Sequence, residues 1–71
     1  MSEPEKLGKE VIFDRLFYFI EVELQWLEVI TRDLVVHNIP FVVKTSTMSL
    51  GCVKIKIYVE PKLKYHLEQF L

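Results

Sequence analysis

Cysteine is nearly missing from this chain of 71 residues: Cys52 stands alone. A single cysteine excludes an internal disulfide, and with only two histidines, His37 and His66, no zinc-ligand spacing exists. Glycine is almost as scarce. Gly8 and Gly51 cannot build a phosphate-binding loop, and Ser46, Thr47 and Ser49 lack the setting of a nucleophile elbow. Long apolar runs are missing too. The longest stretch free of formal charge, Leu34 to Val43, contains His37, Asn38 and Pro40 and falls far short of the ~20 residues of a membrane span. The opening segment MSEPEKLGKE is charged and has no apolar centre of the secretory kind. These absences predict no catalytic residues, no metal, no cofactor and no membrane partner. They predict a cytoplasmic protein in a reducing setting that is not an enzyme.

Hydrophobic side chains, by contrast, are plentiful at 51% of the chain. A chain this short is near the lower size limit for an independent core, and such domains rely on disulfides, metals or association. With the first two excluded, association remains. The charge is small overall, −1, but unevenly placed. Residues 1–38 hold four basic side chains against eight acidic ones, and residues 39–71 hold five against two. This predicts an acidic helical face and a basic sheet face, or attraction between the two halves.

Glu3, Glu10, Asp14, Glu21, Gln25, Glu28 and Arg32 recur at spacings that keep them on one side of an α-helix. Everything else on that helix, from about residue 3 to residue 37, is mostly apolar. Ser2 with Glu5 forms a capping-box pattern, Pro4 suits the first turn, and Gly8 is a weak point. Asn38 suits a left-handed C-cap, with Pro40 beyond it as a stop. Ile39–Thr45 and Cys52–Val59 read as strands joined by the turn Ser46–Gly51, and Lys62–Leu71 as a short helix. Leu63, His66, Leu67 and Phe70 mark that helix's inner face.

The predicted fold is therefore one α+β domain over residues 1–71, ordered α-β-β-α and oligomeric, with no internal repeat. The competing reading takes Ile12–Glu21 as a strand, because its aromatic and β-branched content suits one, and gives β-α-β-β-α. Against it, Asp14 and Arg15 would face opposite ways in mid-strand, and no Gly or Pro precedes the helix.

A rod with so much apolar surface needs another chain to cover it. Arg15 and Asp33 fall at one helical angle, so two copies crossing antiparallel near Leu24 would pair each with the other. That register defines a dimer interface of Arg15, Phe19, Val22, Trp26, Val29 and Asp33, the bland alternative being that the charges reach water. Glu23, deep in the apolar arc, is the one candidate general base, and no second acid or nucleophile accompanies it. Lys44, Lys54, Lys56 and Tyr58 share one face of the hairpin, with Lys62 and Lys64 nearby. Such a face suits phosphates and base stacking, although lysines on exposed strands also serve solubility. Two functions follow: an oligomeric interaction or accessory subunit that binds a homo- or hetero-partner, or a nucleic-acid-binding protein.

Overall fold

Two hairpins and two helices alternate along the chain in a computed structural model that describes residues 7–49 and 52–71. Strand β1 (Gly8–Ile12) turns into β2 (Arg15–Glu23), and a 3-10 turn, Leu24–Trp26, leads into α1 (Leu27–Val36). Strands β3 (Val42–Ser49) and β4 (Cys52–Val59) follow, then a second 3-10 turn, Pro61–Leu63, and a single-turn α2 (Tyr65–Glu68). The four strands form one antiparallel sheet in the order β1-β2-β4-β3. The protein is thus a small α+β structure.

The long N-terminal helix does not form. Its apparent polar stripe crosses a hairpin, and the competing strand reading is closer to the fold, although it lacked β1. Two features supply what that reading was missing. Phe13 and Asp14 both adopt positive φ, 55° and 62°, which makes the two-residue loop of a type I′ hairpin and removes Asp14 from any strand. At the other end, Glu23 stays extended at φ −72°, ψ 156°, and the helix starts directly beyond it. Neither Gly nor Pro is needed at either junction. Within β2, aromatic and β-branched side chains populate both faces, which a strand sandwiched between two clusters accepts more readily than a helix. The helix signals at Ser2, Pro4 and Glu5 lie outside the described residues.

The second half is closer to expectation. Strand β4 has the predicted limits, but β3 runs from Val42 to Ser49 instead of Ile39 to Thr45, with a pairing irregularity between Thr45 and Thr47. Pairing with Cys52, Val53 and Lys54 carries Thr47, Met48 and Ser49, expected in the turn, into the strand. The helix expected over Lys62–Leu71 is reduced to a 3-10 turn and a single α-turn. Asn38, at φ 58°, ends α1. Its amide donates to the Val35 carbonyl (3.0 Å) and the Ile39 amide to the Leu34 carbonyl (2.9 Å). These are the two bonds of a Schellman motif, closed by buried Leu34 and Ile39.

Both helices lie against one face of the sheet. Ile20, Ile55, Ile57 and Val59 pack there with Ile30, Leu34, Ile39 and Leu67, and Leu27, Leu63 and Phe70 border them. The chain therefore hides much of the surplus that a continuous rod would have exposed.

A repeat invisible in composition governs the arrangement. Strands β2 and β4 begin at Arg15 and Cys52, and the 3-10 turns begin at Leu24 and Pro61, each pair 37 residues apart. Buried Ile20 and Ile57 keep the same offset and also pair with each other across the sheet. An approximate two-fold axis therefore passes between them and relates two ββα halves. Ile20, Val22 and Glu23 match Ile57, Val59 and Glu60, while most other matched positions differ.

The Phe13–Asp14 turn generates a test. Left-handed backbone disfavours Phe, whereas Asn-Gly is the preferred pair for this loop. Replacing Phe13→Asn with Asp14→Gly should raise the unfolding free energy by about 1 kcal/mol in urea titrations. Destabilisation would contradict the turn.

Candidate binding surfaces

Alternation along the strands sends one set of side chains to the helices and the other to the helix-free face. On β2 and β4 the second set is Phe17, Phe19, Glu21 and Glu23 with Lys54, Lys56 and Tyr58, and it joins Glu10 and Ile12 of β1 and Val42 and Lys44 of β3. This face is not simply wet. Ile12, Phe17 and Tyr58 are buried in a second cluster that Phe19 and Val42 border, and the Phe19 and Tyr58 rings lie 5.1 Å apart. Gly8 opposes Phe19, and a Cβ at Gly8 would occupy the ring's space. With no side chain at residue 8, the Phe19 ring can lie over strand β1 in this position.

The cluster is roofed by the chain's own cations. Lys56 Nζ sits 4.6 Å from the Phe19 ring centre, Lys44 Nζ 5.8 Å from that of Tyr58, and Arg15 5.8 Å from that of Phe17. Their aliphatic stems keep water off the rings while their charged ends stay outside. Acids are interleaved with them. Lys56 also approaches Glu10 (3.7 Å), and Glu21 and Glu23 pair in register with Lys56 and Lys54. Tyr58 is 1% exposed, and its hydroxyl donates to Glu10 Oε1 at 3.0 Å. Burial first, then that hydrogen bond and the charges of Glu10 and Glu21, push the Tyr58 phenol up to about 12.

The six residues grouped as a nucleic-acid face therefore divide. Lys44, Lys54, Lys56 and Tyr58 do share a face, as the alternation predicted, but Tyr58 is no stacking platform because it is covered. Lys62 lies near Glu60 (4.0 Å). Lys64 reaches the Tyr18 ring from 5.0 Å, with Lys9 also on that ring at 5.5 Å. Tyr18 pairs with Val59 and belongs to the helix side of the sheet, so Lys64 is not part of the lysine face.

The dimer-interface group also divides. Arg15 opens β2 and makes an ion pair with Glu60 of its own chain at 2.6 Å. Phe19 lies on the helix-free face, and Val22 packs towards the main core. The antiparallel crossing near Leu24 has no helix to run on, since Leu24 begins the 3-10 turn. Trp26, Val29 and Asp33 do remain together, at the end of that turn and along α1. Glu23 is exposed and accepts a hydrogen bond from Gln25 (2.9 Å), so the apolar setting that would have made it a general base is gone.

Helix α1 presents the second surface. Ile30 and Leu34 are wholly buried beneath it, yet its outward side carries Val29 and Val36, 50% and 69% exposed. Beside them runs a groove of about 330 Å³ lined by Val29, Arg32, Asp33, Val36, Gln69 and Phe70. Asp33 accepts a hydrogen bond from Gln69 (2.9 Å), and the His37 ring lies 3.6 Å from it and 5.7 Å from that of His66. Sequence reasoning placed Phe70 on the inner face of the last helix but joined neither it nor Val36 to this surface. The seven-residue spacing of Val29 and Val36 was the available signal. Among the described residues no group of His, Cys, Asp and Glu could hold a metal ion, and no helix is long and apolar enough to cross a membrane.

No protein-family model, curated protein or solved structure matches the chain.

Tyr58 supplies a pH test. Unfolded tyrosine ionises near 10, so above that value the unfolded state loses a proton that the folded state retains. Stability should fall as pH rises from about 10 to about 12, by at most ~1.4 kcal/mol per pH unit. Relative to wild type, Tyr58→Phe should flatten that slope, and one of the three tyrosines should resist ionisation in a 295 nm titration. Ionisation of all three together near 10 would contradict the buried hydroxyl.

Proposed function

We propose that the protein acts by binding rather than by catalysis, as an interaction or accessory subunit that holds another protein chain on the outer face of α1. One observation carries the reading: a helix already buried on one side exposes Val29 and Val36 on the other, next to a groove floored by Phe70. Scattered single hydrophobics on a surface need no explanation, but adjacent ones beside an apolar concavity mark interaction sites. Half-exposed Trp26 extends the apolar surface at the helix's start and is the residue type that most often anchors an interface. The helix-free face, by contrast, is covered by its own lysines and arginine.

A second reading, nucleic-acid binding by the helix-free face, is favoured by one feature. Lys44 stands directly opposite Lys56 in the sheet, and like charges so placed repel unless an anion relieves them. Glu10, Glu21 and Glu23 on the same face weigh against it. A phosphate-binding face should bind single-stranded RNA or DNA at low salt and lose affinity steeply as salt rises, with Lys44→Glu abolishing binding. Absence of binding at low salt removes this reading.

For the first reading the decisive variant is Val29→Glu combined with Val36→Glu. Both positions are exposed, so its unfolding free energy should change by no more than about 0.5 kcal/mol per substitution. Association with a protein partner, followed by sedimentation on wild type and variant, should be lost. A wild-type chain that stays solitary at every concentration, and also when isolated from its native source, would contradict the proposal.

A further inference from the structure

We infer that the chain docked on the outer face of α1 is a second copy of this protein, the two α1 helices running in the same direction about a two-fold axis. This rests on the binding role proposed for that face and adds the partner's identity and direction. Val29 and Val36 are seven residues apart and so share one helical angle to within about 20°. On either side of that line, about 50° away, stand Arg32 and Asp33, neighbours in sequence with opposite charge. The outer face is therefore self-complementary: an apolar seam with a cation on one flank and an anion on the other.

The flanks choose the direction. When two identical helices pack antiparallel about a two-fold axis, like flanks meet, and Arg32 would face Arg32 and Asp33 face Asp33. When they run parallel, unlike flanks meet. Arg32 of each protomer then faces Asp33 of the other, offset by one residue, or about 1.5 Å along the axis. Val29 and Val36 then each meet their own counterpart across the axis. Each charge already has a partner in its own chain, and the two differ in exposure, the Asp33 side chain being 27% exposed. The Arg32–Glu28 pair at 2.7 Å lies in the open, 70% and 79% exposed, where it contributes little. The Asp33 carboxylate is held from its own chain by the neutral amide of Gln69 at 2.9 Å and by the adjacent His37 ring, a geometry that fixes it at the groove's edge. A ten-residue helix buries a modest area, so the pair should be weak, with dissociation in the micromolar to millimolar range.

Two measurements on the full chain test this, both with Cys52→Ser to leave no native thiol. Val36→Cys should form a covalent dimer with itself on mild oxidation, and Val29→Cys likewise. Antiparallel pairing would instead link the two variants only when mixed, and that result would overturn the proposed direction. In sedimentation, Arg32→Asp should weaken self-association roughly tenfold, because each new Asp faces the partner's Asp33. Adding Asp33→Arg to that variant should restore it, with circular dichroism confirming that every variant is folded. Failure of the double variant to recover, or a wild type that stays monomeric at about 1 mM, overturns the inference. In the latter case, loss of a different partner by the Val29→Glu, Val36→Glu variant would leave the binding role standing, and no such loss would end both.

Discussion

The antiparallel pairing of β2 with β4, centred on Ile20 and Ile57, is the contact on which the remaining structure depends. It joins two ββα halves that would otherwise be hairpins too small to persist alone. It also places Ile20, Ile55, Ile57 and Val59 in one apolar patch, broad enough for both helices to cover. Because the axis relating the halves passes through this pairing, both helices fall on the same side. A two-layer structure with one helix-free face follows from that geometry.

The two outer surfaces meet different fates. On the helix-free face the exposed rings have been covered from within: Arg15, Lys44 and Lys56 lie over Phe17, Tyr58 and Phe19, and Glu10 satisfies the Tyr58 hydroxyl. Hydrophobic surface and charge are reconciled locally, without a partner. On the outer side of α1 no such roof exists. Val29 and Val36 face outward beside the groove, and the charges there, Arg32 and Asp33, flank the apolar line instead of covering it. That contrast, more than any single residue, supports the proposal that the helix layer is the binding surface.

Much of the second half of the chain was legible in its residues. Alternation of Val53, Ile55, Ile57 and Val59 with polar neighbours fixed β4, and Asn38 followed by Pro40 marked the end of α1, because both signals act through local backbone chemistry. The first half misled for a definable reason. A hairpin turn written as Phe-Asp carries no Gly, Pro or Asn, and Asp14, a usual turn residue, follows a Phe instead of preceding a Gly, so the local signal was weak. The acids of β1, β2 and α1 also fell by coincidence into helical phase. Strand is distinguished from helix in Leu16–Val22 by pairing with β1 across an unannounced turn and with β4 almost forty residues away, which a window of eleven to eighteen does not reach. The candidate surfaces inherited this error. Trp26, Val29 and Asp33 survived as a group because they belong to a true helix, whereas Arg15, Phe19 and Val22 were joined to them only by a rod that does not exist. The lysine face survived in its strand part and lost Lys62 and Lys64, which lie past the sheet's end.

Solution NMR of the uniformly labelled protein tests the central pairing most directly. The account requires through-space contacts between β2 and β4 backbone protons around Ile20 and Ile57, with extended-chain shifts from Arg15 to Glu23. An unbroken run of helical shifts from Glu10 to Val36, with no β2–β4 contacts, would contradict it.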